Sequence, residues 1–183
     1  MGGKWLAQGS YGSVSVVHEL LENSSQHQRV PTHRWACKTI PKQNLFNSAS
    51  NANAVMKEVT IMEQVRHPNV VEFRNLYEDN SSYHVIMELC EGGDLMNYLP
   101  SMDGFREHVA ARIFHDITAA VDFCHSQGVV HLDLKPENIL LCPVTENGQD
   151  FYKVKLADFG CAERITGTHV KALPQRFYPV LRP

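Results

Sequence analysis

His131-Leu132-Asp133-Leu134-Lys135-Pro136-Glu137-Asn138 sets six polar or special residues in eight positions, with apolar Val129-Val130 before it and Ile139-Leu140-Leu141 after it. A plain connector has no need of such a set. Polar side chains gathered in a loop between apolar strand-like runs are where a rigid scaffold carries function. Asp158-Phe159-Gly160 follows, with Asp158 twenty residues past Asn138 and again after an apolar run, residues 154–156. An Asp and an Asn in two neighbouring strand-end loops can hold Mg2+ through oxygen.

Outward from this centre the chain has two textures, with a joint at Glu91-Gly92-Gly93. Before the joint, residues 14–19 and 34–40 are short β-branched or aromatic runs, and 21–31 reads as a polar hairpin loop between them. Residues 42–53, rich in Asn, Gln and Ser, read as a mobile connector. Residues 54–66 have helical period, and His67-Pro68-Asn69 stops them. Residues 70–77 and 83–88 read as another strand pair around a turn at 78–81. After the joint, Asp94 can cap a short helix reaching Tyr98. Residues 107–127 form the strongest helix, with Val109, Ile113, Ile117, Val121 and Cys124 on one face and Gly128 at its end. Short strands are expected at 129–130, 139–141 and 154–156, with 142–152 as a hairpin insertion.

Three further places can carry chemistry. Gly9-Ser10-Tyr11-Gly12 lies between strand-like segments, where glycines let backbone N–H groups turn toward phosphate oxygens. The same glycines equally serve a tight turn. No helix follows with an acid about 20 residues on, so a dinucleotide fold is not indicated. The phosphate-loop pattern G-x-x-x-x-G-K-[ST] does not occur. Lys38 alternates with Ala36 and Ile40 on one strand face, a costly place for an ammonium unless it is paired or reaches water. Glu58 falls inside the helical arc of Val55, Val59, Met62 and Val65. A carboxylate there implies a cation reaching in, unless it sits at the margin of the stripe.

Taken in order, glycine-rich loop, strand Lys38, helix Glu58, His131-to-Asn138 and Asp158-Phe159-Gly160 resemble a eukaryotic Ser/Thr protein kinase domain. The resemblance runs from Leu6 to about Pro174. Lys135 marks the Ser/Thr type, and Leu132 in place of the usual arginine is similar to the myosin light-chain kinase branch of the calmodulin-dependent group. It implies an α+β, two-lobe kinase fold: a complete N-lobe sheet with its helix over residues 1–90, and an incomplete helical C-lobe over 91–183. It implies ATP and Mg2+ as cofactors and a protein Ser/Thr hydroxyl as acceptor. By resemblance Asp133 is the catalytic base and Lys135 steadies the transferring phosphoryl, while Asn138 and Asp158 hold Mg2+. Gly9, Gly12 and Ala7 belong to the phosphate-covering loop, and Lys38, paired with Glu58, meets the α- and β-phosphates. Leu6, Val14, Ala36 and Leu140 sandwich the adenine, Met87 stands at the back of the pocket, and the backbones of Glu88 and Cys90 bond the adenine edge. Asp94 and Glu137 match positions that read basic residues upstream of the target hydroxyl, and Thr168 matches the peptide-binding Gly-Thr pair.

Departures from the pattern matter too. Ala7 replaces the first loop glycine, Leu132 removes the arginine that grips an activation-loop phosphate, and Leu173-Pro174-Gln175 stands where Ala-Pro-Glu is usual. The sequence given stops at Pro183, before the helices that complete the family's C-lobe. These 183 residues alone are therefore expected to transfer phosphate near background and to associate through the uncovered helix face. The alternative reading is an impaired kinase fragment or pseudokinase acting as a binding or decoy module.

Composition bounds the rest. The chain has 183 residues, 43% apolar and 20% charged, which is one ordinary globular domain by size. A net charge of −3 gives no basic field, so nucleic-acid binding has no support, and no apolar run is long enough to imply a membrane partner. The start, Met1 to Leu6, lacks a signal core and a myristoylation pattern. Five scattered cysteines without a C-x-x-C pair suggest neither a disulfide framework nor a zinc site, and fit a cytoplasmic or nuclear compartment.

Overall fold

Alternating apolar residues draw β2 (Ser13–Asn23) and β3 (Gln28–Pro41) into a long antiparallel hairpin, in which Val14 faces Lys38 and Val16 faces Ala36. β1 (Trp5–Gln8) flanks β2, and β5 (Ser82–Glu88) pairs with β3, setting Ala36 opposite Met87. β4 (Phe73–Glu78) closes the edge, and the five-stranded antiparallel sheet runs β1-β2-β3-β5-β4. The computed structural model describes residues 5–8, 12–23, 28–45, 50–98, 107–146 and 148–165.

The hairpin is longer than the sequence suggests. Most of the stretch expected to be loop, 21–31, continues both strands. Leu20 is half exposed and residues 31–34 are exposed, so at these positions no buried face imposes the alternation that marks a strand. The register slips between Glu19 and Leu20, where Pro31 opposes Leu20 and has no N–H to give the ladder.

α1 (Ser50–Gln64) lies against the sheet, with Val55, Val59, Ile61 and Met62 buried. It starts four residues before the expected 54, because Ser50-Asn51-Ala52-Asn53 carries too little apolar character to show the period. Part of the expected connector, Lys42–Leu45, is a 3-10 turn. Lys42 anchors it through its N–H to Ser81 O and its ammonium to Asp79 O and Glu78. Asp79 shapes the β4–β5 turn by accepting from Ser81 N and Ser82 N. His84 and these donors hold its carboxyl well below the usual range.

Val70 and Val71 were expected to begin a strand of the sheet. Instead they join the sheet to the second half of the chain. Val70 forms a parallel bridge with Leu156, Val71 N donates to Leu156 O, and Leu156 N donates to Asn69 O. Their alternation-free burial, 1% exposed each, reflects this joint.

The second half holds α2 (Leu95–Tyr98), α3 (Glu107–Ser126) and two small sheets. β6 (Val129–Val130) pairs with β9 (Glu163–Arg164), and β7 (Ile139–Glu146) with β8 (Gln149–Leu156), so the expected 142–152 insertion is the outer part of one hairpin. α3 buries Ile113, Ala120 and Cys124; Val109, Ile117 and Val121 are half-buried beside them. Gly128, at φ 69°, ends the helix in a left-handed turn that a side chain would strain. One core joins Ile61, Val65 and Val85 above to Leu141, Leu156 and Phe159 below. Each such side chain contributes about 1.5–3 kcal/mol by leaving water.

Candidate active site

Lys38 enters the core on β3 between buried Ala36 and Ile40. Its ammonium lies 2.7 Å from Glu58 Oε1 on α1 and 3.2 Å from Asp158 Oδ1. Burial opposes the charge on Lys38, but the two carboxylates overcome it and raise its pKa above the ordinary value. Sequence reasoning paired Lys38 with Glu58; it did not foresee Asp158 as the second anion, since the two residues are 120 apart in the chain. The link runs through Ala157, whose N donates to Asn138 O at 2.9 Å and whose O accepts from His131 Nε2 at 3.0 Å.

His131 is the residue the sequence flagged without a role. It is 2% exposed, and its Nδ1 accepts from Asp133 N at 3.3 Å. A ring that donates at Nε2 and accepts at Nδ1 is the neutral tautomer. Burial accordingly lowers its pKa, against the pull of the Ala157 hydrogen bond. Its edge meets Phe159 at 4.8 Å, so one ring ties the Asp133 loop to the Asp158 turn. Asp158 itself has φ 61° and accepts from Gly160 N at 3.4 Å, a left-handed position that Asp tolerates. Leu132 holds φ 67° with no such local hydrogen bond; a strain on the order of 1–2 kcal/mol at that position turns the chain into the Asp133 loop.

Asp133 is 6% exposed, and its Oδ2 accepts from Lys135 Nζ at 2.9 Å and Asn138 Nδ2 at 3.0 Å. Asn138 Nδ2 also reaches Asp133 O at 2.8 Å. The amide nitrogen thus spans the loop, and the Asn138 oxygen makes no hydrogen bond among the described residues. That oxygen and the half-exposed Asp158 carboxylate are hard oxygen donors of the kind Mg2+ takes. The donor set therefore fits Mg2+.

The residues expected on the adenine side lie on β1, β2, β3, β5 and β7, with Cys90 just after β5. Ala36 is buried and faces Met87 across the sheet; Val14, Met87 and Leu140 are half-buried. Asp94 bridges Leu140 through the backbone, bringing the segment after β5 onto β7. Glu88 N is used by Glu72 O, and the Glu88 carboxylate takes Lys155 Nζ at 2.6 Å, a pair the sequence did not suggest. Leu6 and Ala7 lie on β1, Ala7 opposite Val14. Gly12 must be glycine, since a β-carbon there would meet Thr39 O at 2.0 Å. Asp94 caps α2 through Asn97 N at 2.8 Å, and Glu137 is exposed on the 3-10 turn Pro136–Asn138. Gly9 and Thr168 lie outside the described residues. Lys57 on α1 pairs with Glu163 on β9, a tie for which two lone surface charges gave no signal.

A Lys38–Glu58 pair that meets the Asp158-Phe159-Gly160 turn, beside a loop that joins Asp133, Lys135 and Asn138, is an arrangement of the protein kinase fold. Residues 3–177 match the family model described as protein kinase domain, and the chain belongs to that family. It is 40% identical over 86% of its length to calcium-dependent protein kinase 17 of Arabidopsis thaliana, covering 28% of that protein. With calcium-dependent protein kinase 22 of the same plant it shares 36% identity over 94% of its length, covering 35% of that protein. A crystal structure of Rad53 1–466 in complex with AMP-PNP superposes with a TM-score of 0.72 at 30% identity, over 86% of this chain and 37% of that one. The chain thus spans about a third of the length of the relatives it matches.

Proposed function

We propose that this chain carries the site of a Ser/Thr protein kinase, transferring the γ-phosphate of ATP to a protein hydroxyl. The single observation that carries the reading is the meeting of Lys38, Glu58 and Asp158 beside the Asp133–Lys135–Asn138 cluster. Lys38, held by Glu58 and Asp158, would supply the positive charge that meets the phosphate oxygens of ATP. Asn138 and Asp158 would hold Mg2+, which supplies neutralisation of charge on the phosphates when bound. Asp133, oriented by Lys135 and Asn138, accepts the proton of the acceptor hydroxyl as the oxygen attacks. Lys135 lies 2.9 Å from that carboxylate, close enough to offset charge on the moving phosphoryl group. Phosphoryl transfer needs little covalent help, so orientation and charge carry the catalysis.

Residues 1–90 serve as the nucleotide lobe and 91–183 as the acceptor side. The acceptor is a protein with basic residues upstream of its Ser or Thr, met by exposed Glu137 and by Asp94. The test is transfer of labelled γ-phosphate to a Ser/Thr peptide by the chain and by Asp133→Asn. Transfer that Asp133→Asn abolishes without loss of ATP binding supports the reading. Mg·ATP binding with no transfer by either protein would instead leave the binding-module alternative.

A further inference from the structure

Cys90, just after β5, and Cys142, on β7, bring their sulfurs to 2.6 Å. Main-chain bonds fix the approach. Gly92 N donates to Leu141 O at 2.9 Å and Leu141 N to Gly93 O at 2.8 Å, while Asp94 bridges Leu140. A β-carbon at Gly92 would lie 2.6 Å from Leu141 O, so glycine is what lets the segment settle this close to β7. Both thiols are partly exposed, whereas Cys37 and Cys124 are buried. Their surroundings carry charge of both signs: Lys153 and Lys155 on β8 favour a thiolate at Cys142, and Glu88 opposes it. The Cys142 thiol is held below its ordinary value chiefly by its hydrogen bond with Cys90, and the same bond, with burial, pushes Cys90 up. Cys142 stands opposite Lys153 in the β7–β8 register, so a thiolate at Cys142 has a cation beside it and Cys90 in reach.

We propose that Cys90 and Cys142 are a redox-modified pair, oxidised to an intramolecular disulfide by a small-molecule disulfide such as oxidised glutathione. The Cys142 thiolate attacks one sulfur of the oxidant; its S–S bond breaks, one glutathione leaves as thiolate, and a mixed disulfide remains on Cys142. Cys90 then gives its proton to solvent and attacks the Cys142 sulfur, expelling the second glutathione. Two cysteine thiols are oxidised and one glutathione disulfide is reduced to two thiols. The product ties the segment after β5 to β7. On the ATP reading above, on which this consequence rests, that tie runs along the adenine edge and weakens nucleotide binding.

The full chain is treated with oxidised glutathione, quenched, and mapped by peptide mass spectrometry without reduction. Free thiols after unfolding should fall from the five present to three, with the Cys90 and Cys142 peptides linked. Cys90→Ser should stop at glutathione on Cys142, because nothing remains to expel it. The linked protein should lose Mg·ATP affinity several-fold, and dithiothreitol should restore it. Absence of the Cys90–Cys142 link, or linking no more frequent than that of other cysteine pairs, overturns the proposal whatever the chain does with ATP. A linked protein that binds Mg·ATP as the reduced one does overturns the effect on the nucleotide site. Failure of the reduced chain to bind Mg·ATP counts against the kinase reading, while the peptide map still decides the disulfide.

Discussion

Replacing Lys38 with methionine should destabilise the fold more than replacing Glu58 with glutamine, although both changes break the same ion pair. The asymmetry follows from what each change leaves behind. Lys38 has two carboxylates, Glu58 Oε1 at 2.7 Å and Asp158 Oδ1 at 3.2 Å. Glu58 is 6% exposed, and Lys38 is its only charged partner among the described residues. Lys38→Met therefore strands a carboxylate in the core, and breaking a buried pair from one side costs about 3–5 kcal/mol. Glu58→Gln leaves Lys38 with Asp158 and an amide oxygen still able to accept. Losing one charged hydrogen bond while the other survives costs about 1–2 kcal/mol. The double variant buries neither charge and should recover much of what Lys38→Met loses. Urea unfolding of the wild type and the three variants, followed by far-ultraviolet circular dichroism, reads these differences as shifts in midpoint. Equal losses for the two single variants, or a larger loss for Glu58→Gln, would refute the geometry.

His131 gives a pH signature. Its folded pKa lies below the unfolded value of about 6.5, so the unfolded chain takes up a proton that the native one refuses as pH falls through 6.5. Above that window the residue contributes no pH dependence. Within it wild type should lose up to about 1.4 kcal/mol per pH unit more than His131→Gln, and matching slopes in urea unfolding at about pH 7.5 and 5.5 would contradict this. Glu137→Ala should weaken a preference for Arg upstream of the acceptor, since an exposed carboxylate is free to pair with guanidinium; an unchanged peptide-array profile would remove Glu137 from that role. Asp94→Ala should cost about 1 kcal/mol of stability through loss of the cap on Asn97 N. A thermal midpoint unchanged by Asp94→Ala would count against the cap.

What was legible in the sequence was whatever carried a local pattern. Glu58 announced its pairing because it interrupts an apolar helical stripe, and Asp133 through Asn138 because polar residues crowd between buried strands. The pieces that stayed hidden depend on distant approach. Val70 and Val71 read as sheet because nothing nearby shows that Leu156 will pair with them. The hairpin past Leu20 keeps no period-two signature in the sequence, and Leu20 and residues 31–34 are exposed. Lys38 with Asp158, Lys155 with Glu88, and Cys90 with Cys142 each join residues more than fifty apart, where spacing carries no information. His131 was visible as a residue but its task was not, because that task is set by Ala157 and Phe159 across the fold.

Calorimetric titration of ATP into the chain, with and without Mg2+, beside the Asp158→Ala variant, tests the claim that Lys38, Asn138 and Asp158 form one nucleotide–metal site. Lys38 and the adenine-side residues are untouched in the variant, while the exposed carboxylate that fits the metal is gone. Mg2+ should strengthen ATP binding to the wild-type chain and have little effect on Asp158→Ala. Equal strengthening in both proteins, or no ATP binding by a folded wild-type chain, would contradict that claim.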